Sequence, residues 1–129
     1  MTTLPETKAC KVNIENEWLT ISFNQPEKRN ALTSELTADI KNIFDAARDD
    51  LSVRGVTMRG EGGIFCAGGD LKMFKTGFQG GEQGMKDVEE ASALTGAFFD
   101  MINSYPKPVV MLAEGAAMAG GLGMLCAGD

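Results

Sequence analysis

Two stretches of this 129-residue chain concentrate glycine where the backbone itself could do chemistry. The first covers residues 56–71 and the second residues 109–126. Each runs from an apolar strand through a glycine-rich loop to a helix start. A helix N-terminus presents unpaired N–H groups and a partial positive charge. Glycine lets a ligand come close to that backbone. Two such sites converging on one point would hold an oxygen that becomes negative during a reaction, each donor being worth about 3 kcal/mol. Glycine after a strand is also an ordinary tight-turn residue, and spacing alone leaves both readings standing. Phosphate-binding versions fit poorly. Gly115 followed by Gly120, Gly121 and Leu122 has P-loop spacing but lacks the Lys and Ser/Thr that handle phosphate and magnesium. No G-x-G-x-x-G follows the strand ending at Ala113, so the dinucleotide-binding fingerprint is missing there.

Composition narrows the chemistry further. The chain contains no histidine, which excludes imidazole bases, Ser-His-Asp and Cys-His nucleophile pairs, and His-ligated metals. Lys and Arg number 12 against 18 acidic residues, a net charge of −6 with no dense basic cluster, so nucleic acid is not an expected partner. No apolar run approaches the roughly 20 residues of a membrane span. The first eight residues are polar and lack a signal-peptide hydrophobic stretch. Cys10, Cys66 and Cys126 are an odd, widely spaced set without C-x-x-C. They read as small buried residues in a reducing, cytoplasmic setting, with no metal site. The 16 glycines stand well above the usual share of about 7%. The length suits one core, a single domain over residues 1–129.

The elements that must position the glycines follow from periodicity. Cys10, Val12 and Ile14 alternate with polar residues, as do Leu19, Ile21 and Phe23. A two-residue turn at Asn16-Glu17 would set Ile14 opposite Leu19 and Val12 opposite Ile21. A helix is expected from about Thr33 to Asp49, capped by Thr33 or Ser34, with Leu36, Ile40, Ile43, Phe44 and Ala47 as its apolar stripe. Residues 53–59 read as a strand and residues 70–75 as a short helical turn. Residues 76–84 have weak periodicity and read as a mobile loop. A second helix is expected over residues 85–104, with Val88, Ala91, Leu94, Phe98, Met101 and Ile102 on one side. Pro106 and Pro108 stop it. The continuously apolar residues 109–113 read as a strand buried on both faces.

Three segments resemble one family. Asn24-Gln25-Pro26-Glu27-Lys28-Arg29-Asn30-Ala31-Leu32 is similar to the N-x-P-x-x-x-N-A-L opening of the crotonase superfamily, the enoyl-CoA hydratases and isomerases. Gly62-Gly63-Ile64-Phe65-Cys66-Ala67-Gly68-Gly69-Asp70-Leu71 resembles its F-[SC]-A-G-x-D-[LI] segment. Lys107-Pro108-Val109-Val110, then Glu114-Gly115 and Ala119-Gly120-Gly121, resemble its K-P-[VI]-[VI], N-G and G-G-G segment. The resemblance implies an α/β fold, a crotonase-like spiral of repeated ββα units. Residues 1–129 would be its N-terminal part, lacking the C-terminal helices that build a trimer and close the acyl pocket. It implies an acyl-CoA substrate, coenzyme A being part of the substrate and no resident cofactor being needed. It also implies a homotrimer or hexamer.

The resemblance also assigns roles. Gly69 and Gly120 would supply the two N–H donors that hold a thioester oxygen as it becomes an enolate. Ala67 and Gly68 would lie along the CoA adenine and pantetheine arm, with Asp70 and Leu71 completing that segment. Lys28 and Arg29 would sit near the CoA phosphates; as a bare charge pair they also read as a solvated loop. Asp70 reads first as the cap of the following turn. Two positions depart from the family. Gly123 stands where hydratases carry a glutamate, and Ala119 replaces the first glycine of the triplet. Isomerase-type members place their acid-base glutamate further along the chain. The implied activity is therefore a lyase or isomerase step on an enoyl-CoA. The alternative is a non-catalytic CoA-binding or assembly module, or a half-enzyme that needs a C-terminal part. Glu114 reads as a loop residue or a base, and Glu61, Glu82 and Glu89 as solvated. Met73 and Phe74 read as acyl-pocket wall or core, as do Met111, Met118 and Met124.

Overall fold

The computed structural model describes residues 3–129. Strands β1 (Cys10–Glu15) and β2 (Trp18–Phe23) form the expected antiparallel hairpin, with Val12 opposite Ile21 and Ile14 opposite Leu19. Asn16 and Glu17 take φ of 52° and 65°, the left-handed pair whose twist matches a tight hairpin. Strand β3 (Gly55–Gly60) runs parallel to β2, and β4 (Val109–Leu112) runs parallel to β3. The sheet order is β1-β2-β3-β4.

Helix α1 (Ser34–Ala47) makes the crossover from β2 to β3. Thr33 Oγ1 accepts the Leu36 N–H at 3.1 Å, which caps its N-terminus. Its predicted stripe of Leu36, Ile40, Ile43, Phe44 and Ala47 is buried. The other end is pinned from afar. Tyr105 Oη donates to Phe44 O at 2.7 Å, and Lys107 Nζ donates to the Ala47 and Asp50 carbonyls, each at 2.5 Å. Lys107 thus closes the C-terminus of α1 just before the chain enters β4.

The carboxyl ends of β2, β3 and β4 point the same way, so their following loops emerge at one edge of the sheet. That edge is where open α/β sheets form their sites. The ββα unit is complete once, in β1, β2 and α1. Further along, the second extended segments are short and make only the isolated parallel bridges Leu32–Gly69 and Cys66–Ala117.

Several expectations need correction. Residues 76–84 are not a mobile loop: α2 (Leu71–Gln79) and α3 (Gly81–Asn103) run through them, with Gly80 as the elbow. The cause is tertiary. Buried Gly77 and Gly84 face each other, so the two helix backbones touch where any side chain would hold them apart. Leu94 of the predicted α3 stripe is 72% exposed, whereas Phe98 and Ile102 are buried. Strand β4 is not covered on both faces. Val109 is buried, but Val110 and Leu112 on the outer face are 41% and 47% exposed. Of the cysteines, Cys10 and Cys66 are buried and Cys126 is exposed on α4 (Gly120–Ala127).

Ala119, at the N-cap of α4, adopts φ 50° and ψ −120°. Glycine takes this conformation freely, but a Cβ makes it cost on the order of 1–3 kcal/mol. Ala119→Gly is expected to raise stability by about 1 kcal/mol after the larger unfolded-state entropy of glycine is counted. Thermal melting checks this, and an unchanged or lower midpoint would refute it. The thiols give a second check. Burial pushes the Cys10 thiol up to about 12 and raises that of Cys66 as well, so neither forms the reactive thiolate near neutral pH. Titration with an aromatic disulfide at pH 8 should find one reactive thiol, Cys126, in the native protein and three in denaturant.

Candidate active site

Three loops, each leaving the carboxyl end of a parallel strand, are sewn into one body by their own backbones. The Phe65 and Cys66 N–H groups both donate to Ala116 O, at 3.0 and 3.2 Å, and Met118 N–H returns a bond to Cys66 O at 3.0 Å. The loop after β2 joins from the other side. Ala67 N–H donates to Arg29 O at 3.0 Å, and Leu32 N–H donates to Gly68 O at 2.7 Å. Such close approach restricts residue type. A Cβ on Gly121 would collide with the Cys66 carbonyl. One on Gly68, whose φ is 108°, would lie 2.9 Å from Met118 O.

This sewing brings Gly69 and Gly120 together. A Cβ built on Gly120 would lie 3.8 Å from the Gly69 nitrogen. Among the described residues, neither the Gly69 nor the Gly120 N–H donates to a protein acceptor. Both glycines line one cavity of about 310 Å³, with Leu32, Met73, Phe74, Ala91, Thr95 and Ala119 among its walls. A peptide is planar and trans, so its C=O and N–H point in opposite directions. Each donor is therefore aimed by the carbonyl of its own peptide. Gly68 O is held by Leu32 N–H, and Ala119 O is held by the Leu122 and Gly123 N–H groups of α4 at 3.1 and 3.2 Å. Two fixed amides in a mostly apolar cavity suit an oxygen that is gaining negative charge, because low polarity strengthens each bond.

Few other groups in the cavity can move a proton. Among the described residues lining it, Asp70 alone is titratable. Its Oδ1 accepts the Lys72 N–H at 3.1 Å, the N-cap of α2 that the sequence suggested. Thr95 Oγ1 donates to Ala91 O at 2.9 Å, and the exposed Ser92 reaches the rim. Glu61 pairs with Arg59 at 2.8 Å, and Glu114, Glu82 and Glu89 are exposed. Gly123 does not line the cavity. A Cβ there would lie 2.9 Å from Cε2 of Phe99, so the α3 ring already fills the space a side chain at 123 would enter.

The remaining sequence candidates fall as follows. Met73 and Phe74 are cavity wall, and the Phe74 ring lies against Gly69. Met124 is core, Met111 packs against the core, and Met118 is 58% exposed and outside the cavity. Ala67 and Gly68 belong to the sewn loop and do not line the cavity. Arg29 sits next to Ala67 through the backbone bond, with the side chains of Lys28 and Arg29 exposed. Leu71 is 79% exposed at the start of α2. Sequence reasoning placed Asn30 in the N-x-P-x-x-x-N-A-L segment but gave it no role. It is fully buried, with φ 51°, and its amide donates to Glu61 O at 3.0 Å and Ile64 O at 2.9 Å while accepting the Gln25 N–H at 2.9 Å. Beside that motif, its local signal is asparagine's tolerance of left-handed backbone.

Comparison with known proteins bears on this arrangement. Residues 18–129 match the model of the family described as enoyl-CoA hydratase/isomerase. A putative enoyl-CoA hydratase of Thermus thermophilus is 33% identical over 119 residues, covering 92% of this chain and 46% of that protein. A probable enoyl-CoA hydratase of Bacillus subtilis is 36% identical over 93 residues, covering 72% of this chain and 34% of that protein. The crystal structure of an enoyl-CoA hydratase/isomerase from Marinobacter aquaeolei superposes with a TM-score of 0.84 at 32% identity, covering 94% of this chain and 47% of that one. The chain thus spans less than half the length of these relatives. Motifs, fold and family match agree: the chain belongs to the enoyl-CoA hydratase/isomerase family of the crotonase superfamily, as an N-terminal portion of that fold.

Proposed function

We propose that Gly69 and Gly120 hold the thioester oxygen of an acyl-CoA while it becomes an enolate. The observation that carries this is that, among the described residues, neither the Gly69 nor the Gly120 N–H has a protein acceptor, while both glycines, from two separate loops, line one cavity. A thioester α-proton is weakly acidic, and stabilising the enolate lowers the barrier to its removal. The acyl group would lie between Leu32, Met73 and Phe74. Ala67 and Gly68 would carry the pantetheine arm and adenine, with Lys28 and Arg29 near the CoA phosphates and Asp70 and Leu71 flanking the arm. The reaction would be a lyase or isomerase step on an enoyl-CoA. Simple hydration with a carboxylate at position 123 is disfavoured, because Gly123 has no side chain and Phe99 packs against it. The proton-moving group and the homotrimer or hexamer would belong to the complete protein.

A binding module without turnover is the second reading. It is favoured by the cavity's one carboxylate being engaged as a helix cap. Equilibrium titration with crotonyl-CoA, beside an ultraviolet assay for loss of enoyl conjugation, separates the two. Turnover by the complete protein is the expected result, and tight binding without turnover establishes the second reading. Gly69→Pro and Gly120→Pro each delete one donor, and proline is at home at the first position of a helix such as Gly120. Each should lower kcat by about 10²–10³-fold. Retention of activity in both would end the two-amide mechanism.

A further inference from the structure

We infer that Asn30 is a positioning residue that aims the Gly69 N–H, although it lies outside the cavity. The inference rests on the reading that Gly69 and Gly120 hold a thioester oxygen. The loop after β3 is glycine-rich, and fixing it costs conformational entropy. Residues 29–32 supply its restraint at both ends. At the start, the two amide protons of Asn30 bind Glu61 O and Ile64 O. At the end, Arg29 O takes the Ala67 N–H, and Leu32 N–H holds Gly68 O. That last bond sets the plane of the peptide whose N–H belongs to Gly69.

Asn30 holds its own segment just as firmly. Its Oδ1 accepts the Gln25 N–H at 2.9 Å, and its backbone N–H donates to Gln25 O at 3.0 Å. Both amide protons and the carbonyl oxygen are thus in use inside a fully buried site. With the side chain gone, two half-buried carbonyls lose their partner, and the arm carrying Leu32 N–H is freed relative to Gly68 O. The Gly69 N–H then swings with its peptide plane. A misplacement of about 1 Å at a reacting group costs on the order of 10²-fold in rate.

The test uses the complete protein and a chromophoric thioester, cinnamoyl-CoA, whose absorbance shifts to the red when its carbonyl is polarised by hydrogen bonds. Asn30→Ala and Asn30→Asp should lose at least half of the red shift seen with the wild type. Their kcat should fall by about 10²-fold, with KM changed by less than about threefold. Tyr105→Phe is the control for stability alone: it removes a buried hydrogen bond to Phe44 O, remote from the cavity. It should lower the melting temperature and leave the red shift intact. A full red shift in both Asn30 variants overturns the inference. So does an equal loss in Tyr105→Phe, or failure of both Asn30 variants to fold, which would make the residue a requirement of the fold alone. A wild type with no red shift takes down the two-amide reading and this inference together.

Discussion

An amide cannot turn its N–H without turning its C=O, and the whole site depends on that rigidity. The peptide joining Gly68 to Gly69 is held by its oxygen, from Leu32 N–H. The peptide joining Ala119 to Gly120 is held by its oxygen, from the first turn of α4. Each N–H is thereby fixed in orientation although, among the described residues, neither has a protein acceptor of its own. The two peptides come from loops far apart in sequence, so their relative placement rests on the bonds between Phe65, Cys66, Ala116 and Met118. Gly121 and Gly68 are the condition for those bonds, because a side chain at either would wedge the loops apart.

Everything upstream serves to bring these loops to one edge. The parallel pairings of β2 with β3 and β3 with β4 put three carboxyl ends side by side. The crossover helix is locked at both ends, by Thr33 within its own sequence and by Tyr105 and Lys107 from beyond α3. The sheet is polar on its outer face near β2 and β3, where Trp18 Nε1 donates to Thr57 Oγ1 and Arg59 donates to Ser22 Oγ. It becomes apolar only at Val110 and Leu112 of β4. Coverage of the site is uneven in the same way: α2 and α3 leave Leu71, Phe78, Met85 and Leu94 open to solvent.

What could be read from the sequence is what is determined locally. The hairpin register followed from alternation and a two-residue turn, and α1 followed from a cap and a stripe. The glycine loops were visible because strand, loop and helix start are contiguous. Phe74 was left open between acyl-pocket wall and core, and it lines the cavity beside Gly69. The α2–α3 elbow was hidden because it depends on Gly77 meeting Gly84, a contact between two helix backbones that carries no hydrophobic period. Asn30 stood in the first motif, but its role was hidden for a related reason: its bonding partners at Glu61 and Ile64 are 31 and 34 residues away. The exposure of Val110 and Leu112 was hidden because a run of apolar residues records what a strand tolerates, not which faces are covered.

The contact between Phe99 and Gly123 bears on how such a site can change over generations. The ring and the missing side chain occupy one volume between them, so neither position varies freely while the other stays fixed. The Cβ of any acidic residue at 123 would lie 2.9 Å from Cε2 of Phe99, so the ring must shift to admit it. Trimming residue 99 first opens the room that a later acidic side chain needs, whereas the reverse order passes through a crowded intermediate. The two helices therefore impose a direction on the paths by which this scaffold gains or loses an acidic group at that spot.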